Sequence, residues 1–175
     1  EAALREGLPL QRHLQEDYNR WAVDCFRLTV APARPDTQVH THMCYSEFGD
    51  IFGAISDMDA DVISIENARS GLDLLETFRN EGYTKGIGPG VYDIHSPRVP
   101  PTEEIVANLT ATLTVLDPRQ VWVNPDCGLK TRAWPETEAA LQRMVNIAAQ
   151  WRRQLSAGEA ATAKPVAAET SSAID

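Results

Sequence analysis

Four times along this chain an apolar, β-prone segment is followed by a stretch with helical periodicity, and that alternation constrains the fold more than any other feature. The first strand is predicted at Gln38-Val39-His40-Thr41-His42, followed by a helix bearing Phe48, Ile51, Phe52 and Ile55. The second is Asp61-Val62-Ile63-Ser64-Ile65-Glu66; its helix opens with Ser70 and Asp73 in capping-box spacing and buries Leu72, Leu75 and Phe78. The third is short and glycine-rich, Gly86-Ile87-Gly88-Pro89-Gly90-Val91-Tyr92, and its helix carries Ile105, Leu109, Leu113 and Leu116. The fourth is Val121-Trp122-Val123-Asn124, followed from Pro135-Glu136 by a helix carrying Leu141, Met144, Val145, Ala148 and Leu155. An additional helix precedes the first strand, with Tyr18, Trp21, Ala22, Cys25 and Phe26 as its apolar face, which places Cys25 in the core.

Such alternation implies parallel strands joined by right-handed crossovers. Two α/β architectures satisfy it: an open doubly wound sheet, or the second half of a (β/α)8 TIM barrel. Half a barrel leaves two open sheet edges and an uncovered interior. The expectation is therefore a fragment of a longer polypeptide, with residues 1–156 forming the C-terminal part of a barrel domain. Residues 157–175 are Ala, Thr, Ser and Glu with one Pro and few apolar side chains, the composition of a disordered C-terminal tail.

Composition narrows the partners. The net charge of −9 argues against nucleic-acid binding and against an anionic membrane surface, and no apolar run has the length of a membrane helix. No secretory signal core is visible, and three cysteines suit a reducing, cytoplasmic setting with metal-binding or catalytic thiols better than a disulfide framework.

The chemistry-bearing residues gather at the C-terminal ends of the predicted strands, where a barrel carries its active site. His42 and Cys44 end the first strand two positions apart, a spacing that points both to one face. Glu66 ends the second, and Cys127 follows the fourth. One imidazole, two thiolates and one carboxylate match a tetrahedral zinc site in number and type. The spacing matches no compact finger, and His40 shares the inward face with His42. The residues taken alone therefore leave open a plainer reading: a reduced Cys, a core His and an ion-paired Glu. His95, just past the third strand, overhangs the same mouth as a possible proton carrier or as a loop histidine bonded to its neighbours. Arg69, Arg98, Lys130 and Arg132 follow strand ends, and His13 is read as solvated.

The segments His40-Thr41-His42-Met43-Cys44-Tyr45-Ser46, Asp59-Ala60-Asp61-Val62-Ile63-Ser64-Ile65-Glu66, Gly86-Ile87-Gly88-Pro89-Gly90-Val91-Tyr92-Asp93-Ile94-His95-Ser96-Pro97 and Trp122-Val123-Asn124-Pro125-Asp126-Cys127-Gly128-Leu129-Lys130-Thr131-Arg132 occur in order. Together they resemble the C-terminal catalytic domain of cobalamin-independent methionine synthases, over about residues 1 to 155. The resemblance implies a (β/α)8 barrel holding Zn2+ on His42, Cys44, Glu66 and Cys127, which favours His42 over His40. It implies His95 as proton donor and Glu6 as a contact to the folate substrate. The implied reaction is transfer of the N5-methyl group of 5-methyltetrahydropteroyltri-L-glutamate to L-homocysteine, giving L-methionine. An Asp that grips homocysteine in the family would lie immediately before Glu1, so the 175 residues alone are expected to be inactive without the remainder of the parent polypeptide. A related zinc thiol methyltransferase, and a non-catalytic fragment acting as a structural or interaction partner, are the alternative readings.

Overall fold

The computed structural model describes residues 3–44, 49–68 and 73–156. The expected tail at 157–175 and the readings placed on Phe48, Arg69, Ser70 and Leu72 fall outside those residues. A short helix α1 (Ala3–Glu6) and a 3-10 turn (Arg12–Leu14) lead into α2 (Gln15–Val30). Then come β1 (His40–Met43), α3 (Phe52–Asp57), β2 (Val62–Ile65), α4 (Asp73–Asn80), β3 (Gly86–Pro89), α5 (Thr102–Val115) and α6 (Trp134–Ser156). The strands are parallel in the order β1-β2-β3, with His42 opposite Ser64 and Ser64 opposite Gly88.

The predicted fourth strand differs from expectation. Residues 121–124 lie beside β3 in parallel orientation, but only two isolated bridges form, Ile87 with Val121 and Gly90 with Asn124. Ile87 N–H donates to Gln120 O at 2.8 Å, and Trp122 N–H donates back to Ile87 O at 2.8 Å. The next rung requires a donor at position 89, where Pro89 has no N–H. Bonding resumes at Val91, whose N–H donates to Asn124 O at 3.0 Å.

Adjacent strands sit about 4.8 Å apart, so a flat sheet would hold its first and fourth members about 14 Å apart. Here they touch at both ends. The His40 and Trp122 rings meet edge-on with centroids 4.9 Å apart, and the sulfurs of Cys44 and Cys127 lie 3.2 Å apart. The strands therefore curl into an arc of a (β/α)8 barrel, and an open doubly wound sheet is excluded for this segment. Glycine makes the curl possible. Gly86, Gly88 and Gly90 present the inner face of β3, and Trp122, Asn124 and Asp126 lie over them. A Cβ on Gly88 would fall 2.0 Å from Asn124 Oδ1, and one on Gly90 would fall 1.9 Å from Asp126 Oδ1.

The other face of the sheet is the core. Met43, Ile63, Ile65 and Ile87 are fully buried there against Ile55, Leu75 and Phe78 from the helices. Helix α4 ends in a Schellman motif: Gly82, with φ +68°, donates to Arg79 O at 3.1 Å, and Tyr83 N–H donates to Phe78 O at 3.0 Å. The apolar contact that accompanies such a motif is the edge-on Phe78–Tyr83 pair, with centroids 5.2 Å apart, and Phe52 packs on Phe78 at the same distance. Phe78 is 1% exposed. Phe78→Ala is therefore expected to cost about 3–5 kcal/mol, a large share of the roughly 5–15 kcal/mol typical of a domain. Urea unfolding checks this, and a loss below about 1 kcal/mol would contradict the packing account.

The helix phases bring further corrections. Helix α6 buries Ala140, Met144, Ile147, Ala148 and Trp151, whereas Val145, expected inside, is 52% exposed; the buried stripe runs one position away from it. Helix α2 buries only Val23. Cys25, expected in the core, is exposed. It follows Trp21, itself 62% exposed, by one turn, and both line a surface cleft with Leu4, Tyr18, Ala22, Phe26, Thr29 and Met58. The apolar stripe of α2 was legible, but α3 and the core cover only one side of it. No helix among the described residues is long and apolar enough to cross a membrane.

Candidate metal centre

The site forms where the strands end. Alternation along β1 sends Thr41 and Met43 into the core and leaves His40 and His42 on the inner face. His40 stays at the far end of that face, exposed, with its Nε2 bonded to Gln38 Oε1 at 2.9 Å and its ring on Trp122. His42 lies toward the mouth. The ligand atoms of His42, Cys44 and Cys127 all lie within 4.8 Å of one another, a group able to hold a metal ion. His40 is not part of it.

The ring of His42 is oriented by the strand beside it. Its Nδ1 meets Ser64 Oγ at 2.8 Å, and Ser64 directs its own hydroxyl proton to Thr41 O at 3.3 Å. Ser64 Oγ therefore accepts from Nδ1–H, which puts the imidazole lone pair on the solvent-shielded Nε2. Burial above all lowers the His42 pKa below its usual 6.5, so the ring is neutral at neutral pH, the form that binds a cation.

Cys44 is pushed up to about 11 by burial first, then by its hydrogen bond to Cys127 and the charges of Cys127 and Glu66. Without a cation, Cys44, 3.2 Å from a second sulfur and beside a carboxylate, therefore keeps its proton at neutral pH. Glu66 is 6% exposed, with Oε1 shielded from solvent, and its charge acts on Cys44. It thus borders the group while lying outside the 4.8 Å cluster.

The remaining sequence-derived candidates lie outside this cluster. His95 is 45% exposed in the loop after β3, where its backbone N–H and its Nδ1 meet Asp93 Oδ1 at 2.8 and 2.9 Å. Glu6 is exposed at the end of α1. Arg98 pairs with Glu104 at 2.6 Å, Arg132 lies 3.8 Å from Glu136, and Lys130 and His13 are exposed.

Three supporting residues escaped the sequence reading: Ser64, Asp93 and Asp126. Asp126 is 3% exposed, and its Oδ1 accepts from the N–H groups of Asn67 and Ala68 at 2.9 Å each. Burial raises its pKa, the two N–H donors pull it down, and the charges of Asp93 and His95 act on it in opposite senses. The signal for Asp126 was present as a shared period of two: Gly86, Gly88 and Gly90 facing Trp122, Asn124 and Asp126.

Residues 1–150 match the family described as cobalamin-independent synthase, catalytic domain. The 5-methyltetrahydropteroyltriglutamate–homocysteine methyltransferase of Parvibaculum lavamentivorans is 59% identical over 157 residues, 90% of this chain and 21% of the relative. The enzyme of the same name from Salinibacter ruber is 56% identical over 157 residues, 90% of this chain and 20% of the relative. The chain thus spans about a fifth of the length of the curated relatives it matches. Among solved structures, a B12-independent methionine synthase from Shewanella sp. W3-18-1 in complex with selenomethionine superposes with a TM-score of 0.67 at 20% identity. That superposition covers 81% of this chain and 46% of the other, and it speaks for the fold. By its motifs, its barrel arc and a match covering most of its length, this chain belongs to the cobalamin-independent synthase family, through that family's catalytic domain.

Proposed function

We propose that this chain forms the metal-holding side of the mouth of a zinc-dependent methyltransferase, which moves the N5-methyl group of 5-methyltetrahydropteroyltri-L-glutamate to L-homocysteine to give L-methionine. The observation that carries the reading is the convergence of His42, Cys44 and Cys127 from two distant parts of the chain. Two sulfurs and a neutral imidazole select a thiophilic ion, and Glu66 is the fourth donor at the rim. When bound, zinc keeps the homocysteine sulfur as a thiolate at neutral pH.

The chain's own residues do the rest. Ser64 holds the His42 ring in the ligating tautomer. The methyl group leaves a nitrogen that departs poorly unless protonated, so the reaction needs a general acid. His95 fills that role: the Asp93 carboxylate holds Nδ1–H, orients the ring and leaves Nε2 to carry the mobile proton toward N5. Glu6, at the end of α1, is assigned to the folate. The rest of the substrate contacts belong to the longer polypeptide typical of the relatives.

The test begins with metal. Equilibrium dialysis of the chain against Zn2+ is expected to give one tightly held ion. The longer polypeptide that carries these residues is expected to methylate homocysteine and to lose that activity on chelation, with recovery on zinc addition. Absence of bound zinc, or activity indifferent to chelation, would remove the proposal.

Protonation supplies a further prediction. Cys44 keeps its proton up to about pH 11 in the metal-free chain, and the cation binds the thiolate, so uptake displaces at least that proton. Affinity must then rise with pH, by about tenfold per unit for each proton displaced. His42, with its pKa held down, is neutral between about pH 7 and 8.5 and adds nothing to the slope there. Competition with a chromophoric chelator measures it, and a flat profile would contradict the assignment of Cys44 as ligand.

A further inference from the structure

Two of the loops that carry metal donors have no covalent or strand connection to each other, yet one side chain ties them. Glu66-Asn67-Ala68 follows β2, and Pro125-Asp126-Cys127 follows the bridged segment beyond β3. Asp126 reaches across β3 and accepts the N–H groups of both Asn67 and Ala68 through one oxygen, Oδ1. The crossing passes directly over Gly90: a Cβ there would meet Asp126 Oδ1 at 1.9 Å, Asp126 Cα at 2.4 Å and Asp126 N at 2.7 Å. Gly90 is itself anchored, its N–H donating to Ile65 O at 2.9 Å, while Asp126 N–H donates to Tyr92 O at 3.1 Å.

We propose that Asp126 is a positioning residue that clamps the Glu66 loop to the Cys127 loop across Gly90, and so sets the separation of Cys127 from Cys44 and Glu66 before any metal arrives. The proposal deepens the metal reading above and rests on it only for the metal-binding arm of its test. A carboxylate suits the task because one oxygen accepts both amides, and a charge-assisted bond to backbone N–H is stronger than a neutral one. Burial of Asp126 and Asn67 strengthens the first of these bonds further, because an electrostatic bond gains in a less polar surrounding. Asp126 is linked to the metal donors through the backbone: Glu66 precedes Asn67, and Cys127 follows Asp126. Outer-sphere groups of this kind, when removed, typically weaken metal binding by about 10–100-fold.

The test has one arm that needs no metal. In a Cys25→Ser background the chain keeps two thiols, Cys44 and Cys127. Dibromobimane, which bridges only closely spaced thiols, is expected to cross-link them rapidly in the reduced, metal-free chain. Asp126→Ala and Gly90→Ala should each slow the cross-link at least about fivefold, the first by deleting the acceptor and the second by displacing it, with cross-linking read alongside circular dichroism. Asp126→Asn keeps an acceptor oxygen at the same position and should retain most of the rate, which separates loss of the clamp from loss of folding. In the second arm, Co2+ titration followed by its thiolate charge-transfer band should show Asp126→Ala binding about 10–100-fold more weakly, with Asp126→Asn close to the parent. Unchanged cross-linking in folded Asp126→Ala, or in Gly90→Ala, would overturn the clamp, as would an Asp126→Asn chain as slow as the alanine variant. A parent chain that takes up no Co2+ while the cross-linking pattern holds would remove the metal reading and leave the clamp standing.

Discussion

Cys127→Ser is expected to leave the fold intact and the metal gone. Serine fills almost the same volume at a half-buried position, so little packing is lost. Its hydroxyl, however, does not ionise near neutral pH and is a poor partner for a thiophilic ion. A zinc site of mixed thiolate and imidazole donors is worth on the order of 12 kcal/mol, about 3 kcal/mol per donor if shared evenly. Loss of one thiolate then weakens binding about a hundredfold or more. In the longer polypeptide methyl transfer should fall with metal occupancy and return in part when excess zinc is supplied. Elemental analysis after dialysis against a chelator, paired with a thermal melt, measures both halves. Zinc retained at the parent level by Cys127→Ser would show that the three clustered donors are not the site.

His95→Gln should produce the opposite pattern: full zinc and little methyl transfer. The side chain lies outside the donor cluster and is held by Asp93, so its removal leaves the thiols untouched. Glutamine can hydrogen-bond at the same place but carries no proton that it can give up. General acids typically contribute about 10²–10⁴-fold, so kcat should drop by that order while KM for homocysteine stays near its parent value. Kinetics of the longer polypeptide carrying the exchange decide it. A kcat within about threefold of the parent would remove His95 from the role of general acid and leave the metal proposal standing.

The core was legible to different degrees along the chain, for physical reasons. Ile63, Ile65 and Phe78 were readable because period two and period 3.6 map sequence directly onto a face. Val145 and Cys25 were misplaced because periodicity identifies an apolar stripe but not which flank of it a neighbouring element will cover. The fourth strand was readable as apolar and β-prone, but its ladder is interrupted from outside, by Pro89 on the adjacent strand. A strand's pairing depends on its neighbour's donors as much as on its own residues.

The same division holds at the site. The ordered alternation of strands and helices, the motifs of the family and the placement of His42, Cys44, Glu66, His95 and Cys127 at strand ends were all written in the sequence, because each is a local or near-local pattern. Only the folded chain separates His40 from His42 in space: both share a face, and the curl of the sheet sets one against Trp122 and the other beside the sulfurs. That curl also distinguished barrel arc from open sheet. It arises where three glycines let Trp122, Asn124 and Asp126 settle onto β3; each triplet shows its period of two in the sequence, but only the tertiary structure pairs one with the other.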